Sequence, residues 1–192
     1  MNTLLLFSGG LDSTTLLYDM QQQGHVVECL TVDYRQIHGK EIRVATEICK
    51  DLGVKQRFVQ MPRVYSHCAL VGGAAISPVV PNRNMILIGI AAAMAFEREM
   101  DAVAWGANAD DAELFPDCRR AFYNRMTEAL HCCHDRPMIL HAPFLANGMS
   151  KSDVVTLAKT IQVPIEKTWS CYEGKEEPCN KCHACVTRNN AL

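Results

Sequence analysis

Short apolar runs alternate with amphipathic segments along most of the chain. Runs typical of buried strands lie at residues 3–7, 26–32, 55–61, 101–106 and 138–141. Apolar residues recur at helical spacing between them, which predicts helices from residue 11 to Gly24 and at 41–52, 84–100, 118–130 and 151–161. This alternation predicts an α/β fold, a Rossmann-like parallel sheet with helices on both faces.

The regular pattern ends near residue 168. We therefore predict an α/β domain at residues 1–167 and a small C-terminal segment at 168–192 that packs on it. The last helix before this boundary has a capping box in its sequence, since Ser150 and Asp153 are spaced to bond each other's backbone N–H groups.

The composition fits one soluble domain with a small appendage. The chain has 192 residues, of which 48% are hydrophobic and 21% charged, and its formal net charge is -2. It has no basic excess to hold a nucleic-acid backbone, which favours a small-molecule substrate and predicts no direct nucleic-acid binding. The N-terminal apolar run is too short for a secretory signal, and no stretch is long enough to span a bilayer. We therefore expect a cytoplasmic protein.

The junction between the first predicted strand and the first helix has the composition of a phosphate-binding loop. It follows Phe7 and reads Ser8-Gly9-Gly10-Leu11-Asp12-Ser13-Thr14-Thr15. The glycines let the backbone approach an anion, the hydroxyls add donors, and the helix start adds a partial positive charge. The Walker lysine and the spaced glycines of a dinucleotide fingerprint are both missing. A lone Gly-Gly pair would indicate only a turn, but the whole string after a strand favours phosphate binding.

Four of the ten cysteines form a metal-ligand pattern near the C-terminus. Cys171, Cys179, Cys182 and Cys185 have the spacing C-x7-C-x2-C-x2-C. In a reducing compartment such a cluster holds metal more often than it forms disulfides. Four thiolates complete the tetrahedral shell of Zn²⁺ and leave no position open for catalysis, which predicts one structural zinc. An iron–sulfur cluster is the chemical alternative, because cysteines at this spacing also bind clusters.

The string at residues 8–15 resembles the loop of the PP-loop ATP pyrophosphatases. Further strings narrow the resemblance: residues 34–38 (YRQIH), 80–84 (VPNRN), 115–119 (FPDCR), 168–172 (TWSCY) and the terminal PC-x2-C-x2-C. Together they resemble the 7-cyano-7-deazaguanine synthases, the QueC family, from Leu4 to about Ala191. The combination is specific to that family, although each string alone is not.

The resemblance implies a PP-loop fold, also called adenine nucleotide alpha hydrolase-like, and a ligase that forms carbon–nitrogen bonds. Such an enzyme converts 7-carboxy-7-deazaguanine and ammonia to 7-cyano-7-deazaguanine through an adenylated acid and an amide. It uses ATP with Mg²⁺, and the family is usually homodimeric. The residues expected to bind ATP are Phe7, Ser8, Gly9, Gly10, Leu11, Asp12, Ser13, Thr14 and Thr15.

Three residues of these strings are candidates for the catalytic steps. By the resemblance, Asp12 would help to place Mg²⁺. Arg119 would neutralise charge that builds up on the α-phosphate. His38 is a hypothesis for proton transfer, because an imidazole titrates near neutral pH.

A second set is expected to bind the deazaguanine acid, and consists of Gln36, Arg83, Asn84, Asp117 and Arg119. Arg83 offers a planar fork to a carboxylate or a phosphate. Asn84 can pair with a purine edge, and Asp117 can accept from the guanine-like N1–H and amine. By residue type alone the arginines could equally be solvated residues at helix starts, and Asp117 an N-cap.

Two departures from the family pattern leave other functions open. The chain has Arg35 and Ile37 where the family usually has glycine and arginine, and the stretch 62–80 is short. A relative with the same ATP loop could stop at the amide, or join a deazaguanine acid to an amine on a macromolecule. A non-catalytic, zinc-containing module that binds RNA or protein is the alternative from another class.

Overall fold

Five parallel strands form one sheet in the part of the chain that the structure describes. A computed structural model describes residues 1–36, 39–66, 68–72, 79–133 and 135–192. The strands are β1 (Asn2–Leu6), β2 (Val26–Asp33), β3 (Gln56–Gln60), β4 (Ala102–Ala104) and β5 (Ile139–His141), in the order β3-β2-β1-β4-β5. All neighbouring strands are parallel, as when Leu4 of β1 lies between Glu28 of β2 and Val103 of β4. The predicted parallel sheet is confirmed.

Helices connect these strands and cover the sheet. They are α1 (Leu11–Gln22), α2 (Gly39–Asp51), α3 (Arg83–Glu97), α4 (Asp111–Leu114), α5 (Arg120–Cys133), α6 (Pro143–Ala146), α7 (Lys151–Thr160) and α8 (His183–Ala191). The five predicted helices appear as α1, α2, α3, α5 and α7. At the start of α7, Asp153 N–H donates to Ser150 Oγ at 3.2 Å and Ser150 N–H donates to Asp153 Oδ2 at 2.8 Å, which confirms the capping box.

Two regions differ from the sequence pattern. Helix α5 begins at Arg120 rather than at residue 118, because Pro116–Cys118 forms a separate 3-10 turn and the backbone of Arg119 is extended. Helix α8 lies in the segment where no regular structure is predicted. Its buried residue is Cys185, so it lacks the apolar stripe that signals a helix in a sequence. No helix within the described ranges is long and apolar enough to cross a membrane.

Side chains alternate between the two faces of the sheet and build two apolar cores. Leu4, Leu30 and Val103 share one core with buried residues of α3 and α5. Leu5 and Cys29 point to the other face, where residues of α1, α2 and α7 cover them. Because successive side chains of a strand point to opposite faces, this division follows from the strand register. The predicted cover of helices on both faces is confirmed.

The C-terminal segment packs on the α1–α2 face of the sheet. Trp169, Cys171 and Cys185 are buried in the same core as the inner faces of α1 and α2. Arg188 of α8 donates to the carbonyl of Thr168 at 3.1 Å and to its Oγ1 at 2.7 Å. The segment is therefore tied to the α/β unit, while a domain boundary at residue 167 stays a prediction.

The strand order places a crevice at the carboxyl ends of β1 and β4. From β1 the chain builds β2 and β3 on one side, and it then crosses to the other side of β1 to build β4 and β5. The connections after β1 and after β4 therefore leave the sheet in opposite directions. In sheets of this class, ligands bind at such a switch point.

Candidate active site

The cavity at this crevice collects part of the predicted site. It is lined by the predicted residues Phe7, Ser8, Gly10, Asp12, Ser13, Gln36, Arg83 and Asn84, and also by Glu41, Trp105, Asp111 and Tyr172, among others. Of the predicted residues, Gly9, Leu11, Thr14, Thr15, Asp117 and Arg119 do not line it. His38 lies outside the described residues. The structure thus brings the loop after β1 and Arg83 to one cavity.

Two glycines allow close packing around the loop after β1. Gly9 has φ +74°, and a Cβ there would come 2.7 Å from the backbone nitrogen of Ala45 on α2. Gly106, at the end of β4, faces the start of α1, where a Cβ would come 3.1 Å from the backbone nitrogen of Ser13. Position 9 therefore requires glycine, whereas a Cβ at position 106 would need the start of α1 to shift by a few tenths of an ångström.

Hydroxyl groups line the concave side of the same loop. Gly10 N–H donates to Ser8 Oγ at 3.2 Å, and Ser13 Oγ donates to the Gly10 carbonyl at 3.1 Å. Ser8 Oγ and Ser13 Oγ lie 3.2 Å apart. Thr14 and Thr15 are fully buried behind this surface, where Thr15 Oγ1 donates to the Leu11 carbonyl at 2.8 Å. The two serines can therefore reach an anion, whereas Thr15 stabilises the start of α1 from inside, and the buried Thr14 hydroxyl has no hydrogen-bond partner among the described residues.

Charged residues surround the start of α1. Lys151, the first residue of α7, places Nζ 2.5 Å from Asp12 Oδ2, and both side chains are largely buried. Asp12 Oδ1 is also buried and has no hydrogen-bond partner among the described residues. Burial raises the pKa of Asp111 to about 6, the nearby charge of Asp12 adds to the increase, and Lys151 opposes it. A buried carboxylate oxygen without a donor, next to a second carboxylate, fits a hard divalent cation.

We expect Asp111→Asn to stabilise the protein at neutral pH. The pKa of Asp111 in the folded protein lies above the ordinary 3.8. Folding therefore favours the protonated acid, and this contribution is lost as the pH rises from about 4 to about 6. A neutral amide avoids the loss and should raise the free energy of unfolding at pH 7.5 by roughly 1–3 kcal/mol.

Urea unfolding at pH 4, 6 and 7.5, without nucleotide or divalent cation, measures this gain. The difference between variant and wild type should be near zero at pH 4 and should level off above pH 6. Glu113→Gln on the same short helix is the matched control, because Glu113 is exposed and should show no such dependence. A variant that is no more stable than wild type at pH 7.5 would contradict the expected electrostatic cost.

Arg83 starts α3, lines the cavity and lies among aromatic side chains. Its guanidinium donates to the Tyr34 hydroxyl and lies 6.0 Å from the centre of the Phe115 ring. Burial opposes the charge of Arg83, but Tyr34, Tyr172 and Asp117 outweigh it and raise the pKa of the guanidinium. Burial also raises the pKa of Tyr34, which therefore stays a neutral phenol. Arg83 is thus a fixed positive charge that lines the same cavity as the loop after β1.

Asp117 and Asn84 support the start of α3. Asp117 Oδ2 accepts from Asn84 N–H at 3.1 Å, as a helix cap does, and Asn84 Nδ2 donates to Cys118 Sγ at 3.3 Å. Arg119 is exposed, and its Nε donates to the Ala112 carbonyl at 3.2 Å. Neither Asp117 nor Arg119 lines the cavity. Substrate contacts by Asp117 and Arg119 therefore stay predictions that these positions do not support.

Gln36 lines the cavity next to Tyr34. Its Oε1 accepts from Tyr34 N–H at 2.9 Å, which fixes the amide at the end of β2. Arg35 between them has φ 68°, a left-handed conformation that glycine adopts freely and that strains a residue with a Cβ. The departure at position 35 therefore carries a cost in backbone strain, and Arg35 N–H donates to Asp33 Oδ1 at 2.8 Å.

The four predicted cysteine ligands form a compact cluster beside the cavity. The sulfur atoms of Cys171, Cys179, Cys182 and Cys185 all lie within 4.8 Å of one another. Backbone N–H groups of Glu173 and Cys179 donate to Cys171 Sγ at 3.4 Å, and Cys182 N–H donates to Cys179 Sγ at 3.3 Å. Such donors stabilise thiolates. The cluster could therefore hold a metal ion.

Three residues of the site were not found from the sequence. Lys151 and Asp111 reach the loop from segments far along the chain, and Tyr172 reaches the cavity from the C-terminal segment. The signal available for Asp111 was its position soon after a strand end, where parallel sheets collect ligand-binding residues. No local signal marks the side chain of Lys151 as directed toward Asp12, or that of Tyr172 as directed toward the cavity.

Comparisons with known proteins agree with the resemblance seen in the sequence. A family model described as queuosine biosynthesis protein QueC matches residues 2–192. The chain is 36% identical over 206 residues to the 7-cyano-7-deazaguanine synthase of Methanoregula boonei, covering 100% of the chain and 94% of that relative. It is also 36% identical, over 207 residues, to the synthase of Archaeoglobus fulgidus, and 34% identical to that of Psychromonas ingrahamii. These comparisons cover 86% and 91% of the two relatives, and 100% and 98% of this chain.

A solved structure supports the fold. The U34-tRNA thiolase NcsA from Methanococcus maripaludis, with its [4Fe-4S] cluster, is similar at a TM-score of 0.57 and 18% sequence identity. The comparison covers 100% of this chain and 63% of the thiolase. At this identity the likeness concerns the fold alone, and it agrees with the predicted Rossmann-like α/β class.

Proposed function

Because the chain belongs to the QueC family of queuosine biosynthesis proteins, we propose that it converts 7-carboxy-7-deazaguanine and ammonia to 7-cyano-7-deazaguanine with ATP. One observation carries the proposal: the loop after β1 and the guanidinium of Arg83 line the same cavity. A nucleotide needs phosphate-binding donors, a carboxylic acid needs a fixed cation, and adenylation requires the two to meet. The predicted homodimer and cytoplasmic location stay predictions.

The first step joins the acid to the nucleotide. A carboxylate oxygen of the substrate bonds to the α-phosphorus of ATP while the bond from that phosphorus toward the β-phosphate breaks, so that pyrophosphate leaves. Backbone N–H groups at the start of α1, with the hydroxyls of Ser8 and Ser13, would hold the β- and γ-phosphates. Lys151 would turn from Asp12 toward the phosphates, since its ammonium sits on a flexible stem.

Asp12 and Asp111 would hold the Mg²⁺ that accompanies ATP. The buried Asp12 oxygen that lacks a donor and the adjacent Asp111 are the groups that fit a hard cation. When bound, Mg²⁺ neutralises phosphate charge and orients the leaving pyrophosphate. The cation would also offset the repulsion between the two carboxylates, which in its absence favours the protonated form of Asp111.

Arg83 would hold the acid so that its oxygen faces the α-phosphorus. After adenylation, ammonia bonds to the carboxyl carbon and AMP leaves with one carboxyl oxygen, which gives the amide. In a second activation the amide oxygen bonds to the α-phosphorus of another ATP. Loss of AMP with that oxygen, and of two protons from nitrogen, then gives the nitrile. Tyr34 assists by fixing the guanidinium of Arg83 through its hydroxyl.

The cysteine cluster would hold one structural Zn²⁺. Four sulfurs at about 2.3 Å from one zinc lie about 3.8 Å apart. Cys179 Sγ and Cys185 Sγ are 4.0 Å apart, and all four sulfurs lie within 4.8 Å. In a four-iron cluster each thiolate binds a different iron, so the sulfurs stand farther apart than around a single ion. The compact arrangement therefore favours zinc over a cluster.

The test is a product assay with substrate labelled by ¹⁸O in both carboxyl oxygens. Purified protein is incubated with the labelled acid, ammonia, ATP and Mg²⁺, and the products are identified by mass spectrometry. We expect unlabelled nitrile, pyrophosphate, and two AMP molecules per nitrile that each carry one ¹⁸O. Reactions without ammonia should release AMP slowly or not at all.

Other results would assign a different function. Labelled amide with one labelled AMP would indicate a relative that stops at the amide. A mass adduct on a macromolecule would indicate ligation to an amine. Absence of turnover, with ATP left intact, would favour a non-catalytic binding module, and phosphate with ADP as products would contradict adenylation.

A further inference from the structure

Tyr172 connects the cysteine cluster with the cavity. It follows Cys171 directly, and its backbone N–H donates to the sulfur of Cys182. Its side chain is half-buried and lines the cavity, within electrostatic reach of Arg83. One residue therefore has its main chain on a metal ligand and its side chain at the proposed acid-binding end.

The segment around Tyr172 is fixed on both sides. Trp169 N–H donates to the Gly9 carbonyl at 3.1 Å, and Trp169 Nε1 donates to the Cys171 carbonyl at 3.0 Å. Arg188 donates to Ser170 Oγ at 3.3 Å and to the Thr168 carbonyl at 3.1 Å. Each residue from 168 to 172 is thus bonded to the phosphate-binding loop, to α8 or to the cluster, so the position of Tyr172 depends on all three.

We propose that Tyr172 is a positioning residue for Arg83, and that the metal centre fixes it as one wall of the acid-binding end of the cavity. This inference rests on the proposed function, because it takes Arg83 as the group that holds the substrate carboxylate. Tyr34 bonds the guanidinium from the β2 side. Tyr172 lines the same cavity from the C-terminal segment and would limit the movement of the guanidinium from that side, so that the fork keeps one orientation.

The physical reason is the flexibility of an arginine side chain. Its planar fork binds a carboxylate well only in one orientation, and each rotatable bond that is free before binding lowers the affinity. A hydrogen bond to the Tyr34 hydroxyl and a wall formed by the Tyr172 ring would remove much of that freedom in advance. Because the proposed function places the acid at Arg83 and the phosphates at the loop after β1, loss of the Tyr172 ring should affect the acid more than ATP.

The experiment compares Tyr172→Phe and Tyr172→Ala with wild type in the full-length, metal-loaded protein. Steady-state kinetics give kcat and separate KM values for the acid and for ATP, and elemental analysis gives metal per chain. We expect the acid KM to rise about 10-fold in Tyr172→Ala, because loss of the ring removes one wall of the acid-binding end of the cavity, and to rise less in Tyr172→Phe, which keeps the ring. The ATP KM and the metal content should stay at wild-type values, because the backbone N–H to Cys182 remains.

Tyr18→Phe is the matched control. Tyr18 is a half-buried tyrosine on α1 that packs in a separate apolar cluster, and it does not line the cavity. An unchanged acid KM in both Tyr172 variants would overturn the inference, as would equal increases in the acid and ATP KM values. Loss of metal in both variants would also overturn it, because the side chain would then serve the cluster rather than Arg83. A wild type without turnover would instead contradict the proposed function.

Discussion

Asp12→Asn is expected to lower kcat by at least about 100-fold while the protein stays folded. The substitution keeps the shape of the side chain and removes the negative charge nearest to the proposed cation. It leaves the loop glycines and the hydroxyls of Ser8 and Ser13 in place, so ATP should still bind, though with a poorly placed cation. Pyrophosphate release under saturating substrates measures the loss, and thermal unfolding checks the fold.

The fold should survive because Lys151 keeps a carboxylate nearby. Removing one partner of a buried ion pair ordinarily leaves an uncompensated charge and costs several kcal/mol. Here Asp111 also lies within electrostatic reach of Lys151. Without the charge of Asp12, Asp111 ionises more easily and can take over the pairing. The stability loss should therefore be small in comparison with the loss of turnover.

Asp19→Asn is the matched control for this variant. Asp19 lies on the same helix, outside the cavity, where it accepts from Gln23 at 2.9 Å. It should retain wild-type kcat. If Asp12→Asn also turns over at the wild-type rate, the loop after β1 does not hold the phosphates in the proposed way.

The sheet and the glycine-rich turn after β1 could be predicted because their signals are local. Most strands are short apolar runs, and the helices that cover the sheet have apolar stripes of their own, so length and periodicity suffice. The loop at residues 8–15 is a contiguous string directly after β1. Gly9 is an example: its positive φ and its contact with Ala45 admit only glycine, and the glycine at this position can be seen in the sequence.

The charged surroundings of the loop could not be predicted in this way. Lys151 and Asp12 are 139 residues apart in the chain, and they meet only because α7 packs against α1. Lys151 in the sequence is an ordinary lysine at a helix start. Whether its side chain points to solvent or to Asp12 depends on the angle at which α7 packs against α1. The hydrophobic periodicity of the sequence does not reveal this angle.

The FPDCR string shows a different limit. Resemblance predicts that Asp117 and Arg119 bind the substrate, but neither residue lines the cavity in this structure, so their roles stay predictions. Asp117 instead bonds the first turn of α3 and so helps to position Arg83. A shared string identifies the family, but the turn that carries it decides which side chains reach the ligand.

Cys182→Ser is expected to release the metal and to lower the free energy of unfolding by at least about 3 kcal/mol. The remaining three thiolates cannot complete a tetrahedral shell. Cys185 belongs to α8, so loss of the metal also loosens this helix and with it Arg188, which holds Thr168. The bond from Trp169 to Gly9 should weaken next, so we expect ATP binding to decline together with stability.

Elemental analysis and urea unfolding of the two proteins measure this result, with Cys132→Ser as the matched control. Cys132 is an exposed cysteine on α5, outside the cluster, and its substitution should change neither metal content nor stability. One zinc per chain in wild type and none in Cys182→Ser would agree with the proposed centre. Iron with sulfide and visible absorption in wild type would contradict zinc but keep the ligands. Wild type without bound metal would contradict the metal centre itself. The C-terminal segment, which has few buried apolar residues, would then be held on the α/β domain mainly by its hydrogen bonds.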